Sequence, residues 1–423
     1  MNFWKTLLAS LLGSFLAFGL VMLIFVLLML AAIGGAINSA SGGGQPIAVK
    51  DNSVLYLELE NSVVERANDN EMMFNPASLE GETNMGLNRF VEALQRASTD
   101  DKIKGAFVEL KSFNAGPASL REMHRALKDF KASGKWIVAY GENYDQAGYY
   151  LASVADEVTM HPEGMFDWRG LHTELMFFKN MFERIGVDVQ VIRGPDNKYK
   201  SAVEPFMYDK MSDANREQMK ALVDDLWQHM LTDISESRGV SVPDLMMMAD
   251  SLSLVDQQMA VDKGVLTGLN YRDEVIGGIV NRLTGADSLT DVSEENLNLI
   301  AFSDYCRAPK IRREGETADH RKDKVAVVYA VGAIESGEGD DMTIGSDRIA
   351  KALREAREDK NVKAIVLRVN SPGGSALASD VIWHETKLIK ESGKPFVVSM
   401  GDYAASGGYY ISCAADSIFA NSS

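Results

Sequence analysis

Residues 399–416 read SMGDYAASGGYYISCAAD, and residues 139–156 read AYGENYDQAGYYLASVAD. Gly141 aligns with Gly401, Gly148-Tyr149-Tyr150 with Gly408-Tyr409-Tyr410, and Ala155-Asp156 with Ala415-Asp416, all at one spacing. The match runs upstream: Lys102–Leu110 parallels Asn361–Val369, and Ser133-Gly134-Lys135 parallels Ser392-Gly393-Lys394. Val54–Leu59 and Val325–Ala330 stand as equivalent opening strands. Self-similarity at a fixed period is the mark of a duplicated unit. Each unit reads strand, helix, strand, helix, strand, apolar helix, with charged amphipathic stretches between apolar strands, as a parallel sheet with crossover helices requires.

The two copies part where chemistry would sit. The apolar run 395–400 (PFVVSM) predicts a buried strand, and Tyr409–Ala415 predicts a helix, so Ser406 falls at a strand-to-helix turn among residues with little side chain. Such a turn exposes a hydroxyl and aims backbone amides at a developing oxyanion, although a serine there also serves simply as a helix cap. In the first copy Ser406 is replaced by Gln146 and Ala405 by Asp145, and Ser371-Pro372-Gly373-Gly374 becomes Ser112-Phe113-Asn114-Ala115. A purely structural glycine turn has no reason to decay in one copy only.

A chain of 423 residues has ample length for two or three domains. Its net charge of −17 speaks against a nucleic-acid partner, which needs a basic face. Two cysteines, Cys306 and Cys413, make neither a disulfide scaffold nor a metal-ligand spacing, and Cys413 reads as a small buried residue in an apolar helix. No charge occurs between Lys5 and Lys50, and Leu7–Ile33 is almost wholly apolar. That exceeds the roughly 20 residues that span a bilayer and the roughly 7–15 of a signal-peptide core. It reads as an uncleaved membrane anchor with its N-terminus inside; a long signal peptide cut near Ser39-Ala40-Ser41 is the competing reading. The segment from Asn38 to Gln45 is a flexible spacer.

A serine nucleophile needs a base. None of the six histidines (His124, His161, His172, His229, His320, His384) sits in a recognisable partner setting. Lys198 and Lys200 follow an apolar stretch, Val187–Ile192, that predicts a strand. Either would serve as a base only if desolvated, since an ammonium has no lone pair, and an exposed basic patch explains both equally well. Gly373-Gly374, at the end of the strand beside the one before Ser406, together with Gly407, offers unobstructed amides for an oxyanion hole.

Three motifs in order, Tyr199–Phe206 (YKSAVEPF), Asn370–Ser375 (NSPGGS) and Ala404–Tyr409 (AASGGY), resemble the signal peptide peptidase A family in its long, internally duplicated form. The resemblance covers about Val54 to Ser423. It implies an α/β fold of two tandem Clp-protease/crotonase-like repeats behind a transmembrane helix. The corresponding divisions are an anchor and spacer at 1–46, a first repeat at 47–307, a charged linker at 308–323, and a second, C-terminally incomplete repeat at 324–423. It implies a serine endopeptidase with Ser406 as nucleophile and Lys200 as base, an oxyanion hole from Gly373, Gly374 and Gly407, and neither metal nor organic cofactor. The implied partners are signal-peptide remnants and other apolar peptides at the membrane. The implied setting is a homotetramer on the bacterial inner membrane, with its catalytic part on the periplasmic side. A crotonase-like acyl-thioester enzyme and a non-catalytic membrane scaffold are the rival readings.

Overall fold

The computed structural model describes residues 3–40, 47–67, 73–74, 81–82, 84–194, 197–285, 297–309, 323–340 and 342–421. Most of the expected charged linker lies outside them. The chain divides into two compact units, one dominated by the N-terminal helix and the other running from Val49 to Cys306 and from Ile311 onward.

Helix α1, Phe3–Ala40, contains an 18-residue window, Ser10–Leu27, with mean hydropathy 2.5 and no side chain of that window buried. By length and composition it is able to cross a membrane. At 1.5 Å per residue its 38 residues extend roughly 57 Å, against a hydrocarbon core of about 30 Å.

In the second unit, the N-terminal half alternates strands and helices: β1 (Ser53–Val64), α2 (Leu87–Thr99), β2 (Ile103–Asn114), α3 (Pro117–Ala132), β3 (Trp136–Gly141), α4 (Gln146–Ala152), β4 (Glu157–Met160) and, after a long excursion, β5 (Gly268–Leu269). β1 to β5 lie side by side in chain order, each pair parallel. The interior of β2 is buried residue after residue from Gly105 to Leu110, because helices cover both faces of a parallel sheet. Gly105 is required there: a Cβ would lie 2.2 Å from the Trp136 ring.

The C-terminal half follows the same order: β6 (Lys324–Val331), β7 (Ala333–Glu335), β8 (Thr343–Gly345), α5 (Ser346–Glu358), β9 (Val362–Ser371), α6 (Ala376–Glu391), β10 (Phe396–Ala404), α7 (Gly407–Tyr410) and β11 (Ser417–Phe419). Strands β6, β9, β10 and β11 form a parallel sheet in that sequence. Its core draws on Ile349 and Leu353 of α5, Ile365 and Leu367 of β9, Ile382 and Ile389 of α6, and Phe396 and Val398 of β10.

Residues matched in sequence make matched bonds. Lys135 Nζ donates to the carbonyls of Ala97 and Asp100 at the C-terminal end of α2, and Lys394 Nζ to those of Ala356 and Asp359 at the C-terminal end of α5. Asp156 accepts the Ile137 amide at 2.8 Å and Asp416 the Phe396 amide at 2.9 Å. Gly134 and Gly393 both take positive φ, 89° and 77°, after α3 and α6.

Three expectations are corrected. Val187–Ile192 forms no strand: it runs unpaired, with Ile192 99% exposed, because no strand edge among the described residues lies beside it. The helix after Ser406 spans Gly407–Tyr410 rather than Tyr409–Ala415. Beyond it the chain tightens into turns, with Ser412 N–H donating to the Tyr409 carbonyl and Ala415 N–H to that of Ser412. Cys413 is exposed, not buried, since in these turns Ile411 and Ser412 take the inward positions.

Candidate functional site

Strand β10 delivers the chain to Ser406, whose backbone adopts φ 50° and ψ −115°. A non-glycine residue in that region costs on the order of 1–3 kcal/mol and persists only where its surroundings hold it. Here they do. The Ala405 N–H donates to the Ser371 carbonyl (3.0 Å), the Gly408 N–H to Ala405 (2.8 Å) and the Tyr410 N–H to Ser406 (3.0 Å). The Ser406 side chain is exposed, and among the described residues its hydroxyl has no hydrogen-bond partner.

The Ser371–Gly374 turn packs against this one. Gly373 has φ 100°, and a Cβ on it would lie 2.7 Å from the Gly407 nitrogen and 2.8 Å from the Ser406 Cβ. Gly374 bridges to Ile334 of β7: the Ile334 N–H donates to the Gly373 carbonyl (3.0 Å) and the Ser375 N–H to the Ile334 carbonyl (2.8 Å). That pattern turns the Gly374 amide itself away from the ladder. Its nitrogen lies 3.3 Å from where a side chain on Gly407 would begin. Gly373, in contrast, donates its N–H to Ser371 Oγ at 3.1 Å, so it is not a free donor. Of the expected trio, the amides of Gly374 and Gly407 have no partner among the described residues.

The matched turn of the first half is relaxed. Its cap, Asp145, has φ −83° and accepts the Gly148 N–H at 2.6 Å. Gln146, which stands where Ser406 stands, is fully engaged: its Oε1 accepts the Arg169 and Gly170 amides, and its Nε2 donates to the Gly170 carbonyl. Asn114, opposite Gly373 in the alignment, simply continues β2 beside Ser62 of β1. Of the two matched turns, the one at Ser406 combines backbone strain with amides that have no partner among the described residues.

Lys200 lies in an exposed turn, its N–H donating to the Asn197 carbonyl. Among the described residues its ammonium has no hydrogen-bond or ion-pair partner, and no hydrogen bond joins it to Ser406. Lys198 donates to the Tyr199 hydroxyl at 3.0 Å. The loop is tied down four residues after Lys200 by Glu204. Burial alone would raise that carboxyl. The Ser212 hydroxyl (2.6 Å), the Ser212 N–H (3.1 Å) and the Asn215 amide (2.9 Å) outweigh burial and hold it below the ordinary carboxylate range.

Sequence reasoning missed a polar joint beside the turn, made by Glu65, Glu122 and Ser119 from the first half and Arg368, Asn370 and Asp402 from the second. Its signal was present: Arg368 is a charge in the middle of the apolar strand Ile365–Val369. Desolvation raises the Glu65 carboxyl, opposed by the Arg368 guanidinium.

No group of three or more His, Cys, Asp or Glu among the described residues is arranged to hold a metal. His124, on α3, is buried against Tyr150 (ring centroids 4.3 Å apart), and burial lowers its pKa to about 4.

Comparison with known proteins follows the same residues. Peptidase family S49 matches residues 129–282 and 389–423, which include Lys200 and Ser406. Protease 4 of Haemophilus influenzae is 36% identical over 416 residues, and Protease 4 of Salmonella typhi 34% over 416. The matches take in 96% and 95% of this chain but 66% and 64% of those proteins, so the chain spans just under two thirds of their length. The chloroplastic serine protease SPPA of Arabidopsis thaliana is 31% identical over 340 residues, 79% of this chain and 48% of that protein. The chain thus matches peptidase family S49 over these two segments and is similar to the Protease 4 proteins over most of its length.

Proposed function

We propose that this chain is a membrane-anchored serine endopeptidase with Ser406 as nucleophile and Lys200 as general base. The observation that carries the reading is the strained, solvent-facing Ser406 beside the unclaimed amides of Gly374 and Gly407, set against the relaxed and fully bonded turn at Gln146. The names of the relatives, Protease 4 and serine protease SPPA, support it.

In the reaction, neutral Lys200 takes the Ser406 proton as the hydroxyl attacks a peptide carbonyl. The Gly374 and Gly407 amides receive the oxyanion, where loss of a single donor in comparable sites costs about 3–4 kcal/mol. The proton passes from Lys200 to the leaving amine, and water activated by the same lysine releases the acyl group. An exposed ammonium cannot do this, so the dyad forms only when Lys200 is withdrawn from water beside Ser406. Met176, Ile185 and Ile192, which precede it in the chain, are exposed apolar side chains that suit burial in an assembly. A homotetramer is the assembly we expect. The matched bonds of the two halves support a duplicated Clp-protease/crotonase-like unit. The anchor α1 suits the bacterial inner membrane with the remainder on the periplasmic side, where signal-peptide remnants and other apolar peptides are the substrates.

One observation favours a second reading, a non-catalytic scaffold: Lys200 is exposed, and among the described residues no hydrogen bond joins it to Ser406. Labelling the detergent-solubilised chain with a fluorophosphonate, beside Ser406→Ala and Lys200→Ala, separates the two. The protease reading expects labelling that rises from pH 7 to 9 and is lost in both variants. An unlabelled parent chain that also cleaves no apolar peptide leaves the scaffold. Labelling that survives Lys200→Ala removes that lysine as the base.

A further inference from the structure

The first half meets the Ser406 turn through a compact set of polar contacts. Glu65, just past the end of β1 and 4% exposed, accepts from Arg368 Nε (2.9 Å) and Nη2 (3.1 Å) and from Asn370 Nδ2 (3.1 Å). Arg368 also donates to Glu122 Oε1 of α3 (2.8 Å) and to Ser399 Oγ of β10 (2.9 Å). Asp402 reaches in the opposite direction: Oδ1 accepts the Ser119 N–H (2.9 Å), and Oδ2 accepts the Ser119 hydroxyl (2.7 Å) and Asn370 Nδ2 (3.3 Å). Ser119 is the third residue of α3, whose own cap position, Gly116, has no side chain to offer. A carboxylate from the second half therefore satisfies an amide that the helix leaves free.

The joint is shaped for these groups. A Cβ on Gly116 would lie 2.2 Å from Asp402 Cγ, and one on Gly401 2.3 Å from Glu65 Oε1. No larger residue fits at either position without displacing a carboxylate.

The same side chains end on the turn. Asn370 Oδ1 accepts the Tyr403 N–H at 3.0 Å, three residues before Ser406, and the next residue, Ser371, holds the Ala405 N–H through its carbonyl. Asn370 thus has its amide nitrogen on Glu65 and its amide oxygen on the segment that presents Ser406. In the first half the aligned residues are Glu109, Lys111 and Glu142, and they build no such joint. Glu109 bonds Tyr56 and Arg272 within its own half, and Lys111 pairs with Glu58 at the surface.

We propose that Asn370, Asp402 and Arg368 are positioning residues for Ser406, through which Glu65 and the N-terminal turn of α3 hold the nucleophile turn in its strained conformation. The proposal rests on Ser406 being the nucleophile. It gives the half without a nucleophile a second part in the reaction, beside the base Lys200. With the joint cut, the turn is free to relax toward the geometry that Asp145 adopts, and Ser406 loses its presentation.

The test uses the full chain in detergent, measuring the fluorophosphonate labelling rate, kcat and KM on an apolar peptide, and Tm. Asn370→Ala is expected to lower the labelling rate and kcat at least tenfold with KM within twofold. Ser119→Ala, which removes one hydroxyl in the first half, is expected to lower them about threefold or more. Lys111→Ala, the aligned position of the first half, is expected to match the parent. If Asn370→Ala does not fold, Ser119→Ala decides. Parent-like labelling of the folded Ser119→Ala and Asn370→Ala proteins, with the parent itself labelled, overturns the positioning role and leaves the nucleophile standing. A parent that is neither labelled nor active removes both.

Discussion

Replacing Gly373 by alanine tests the construction of the turn most directly. The added Cβ would sit 2.7 Å from the Gly407 nitrogen, 2.8 Å from Ser406 Cβ and 2.9 Å from the Ala405 carbonyl oxygen, where carbon contacts normally settle near 3.5–4.0 Å. The residue must also keep φ near 100°, which costs an L-residue about 1–3 kcal/mol. Forced overlap in a packed site adds about 1–3 kcal/mol, so the stability loss is roughly 2–6 kcal/mol. All three crowded atoms belong to the Ser406 turn, so relief comes by moving Ser406 or the Gly407 amide. A displacement of about 1 Å at a reacting group costs on the order of 100-fold in rate. Gly393→Ala is the matched control. Its φ is also positive, 77°, but its Cβ would meet nothing within 4 Å, so strain alone of about 1 kcal/mol is expected. The measurement pairs denaturant unfolding with the fluorophosphonate labelling rate under conditions where each protein is folded. Gly373→Ala should lose both stability and labelling, and Gly393→Ala only a little stability. A folded Gly373→Ala protein labelled within threefold of the parent rate would refute the account of this turn.

Two further outcomes follow from the backbone and from burial. Ser406→Gly should raise stability by about 1 kcal/mol relative to Ser406→Ala while both lose labelling, because only glycine is relaxed at φ 50°; equal Tm values would show that the turn stores no strain. His124 is held neutral by burial, with its pKa near 4 against about 6.5 in an unfolded chain. Between those values the unfolded state binds the proton and the folded state does not, so stability falls as pH drops from about 6.5 to 4, by roughly 3 kcal/mol at the lower end. His124→Phe keeps the stack on Tyr150 and should remove that slope; an unchanged pH dependence would assign it to other groups.

Much of the architecture is legible in one dimension, for a physical reason. Central strands of a parallel sheet are largely apolar, so Val54–Leu59 and Phe107–Leu110 announce themselves; Val325–Ala330 is equally apolar in sequence, yet Val325 and Val327 are exposed. Lysines after positive-φ glycines close two helices alike because local chain geometry repeats with local sequence. Val187–Ile192 has the composition of a strand and is none, since a strand exists only where another edge accepts its hydrogen bonds.

By itself, the sequence determined an apolar N-terminal segment long enough to span a bilayer, two similar α/β halves, and a glycine-flanked serine in one of them. These depend on composition, periodicity and repetition, which act over a few neighbouring residues. Tertiary structure alone decided that Ser406 is strained, that the Gly373 amide is committed to Ser371 while those of Gly374 and Gly407 are open, and that Lys200 is exposed. It also decided that Glu65 and Ser119 meet Arg368, Asn370 and Asp402 across some 280–305 residues of chain. Positive φ at a non-glycine residue, and carboxylates gathered round one guanidinium, are stable only when distant segments close on them. No window of neighbouring residues carries that information.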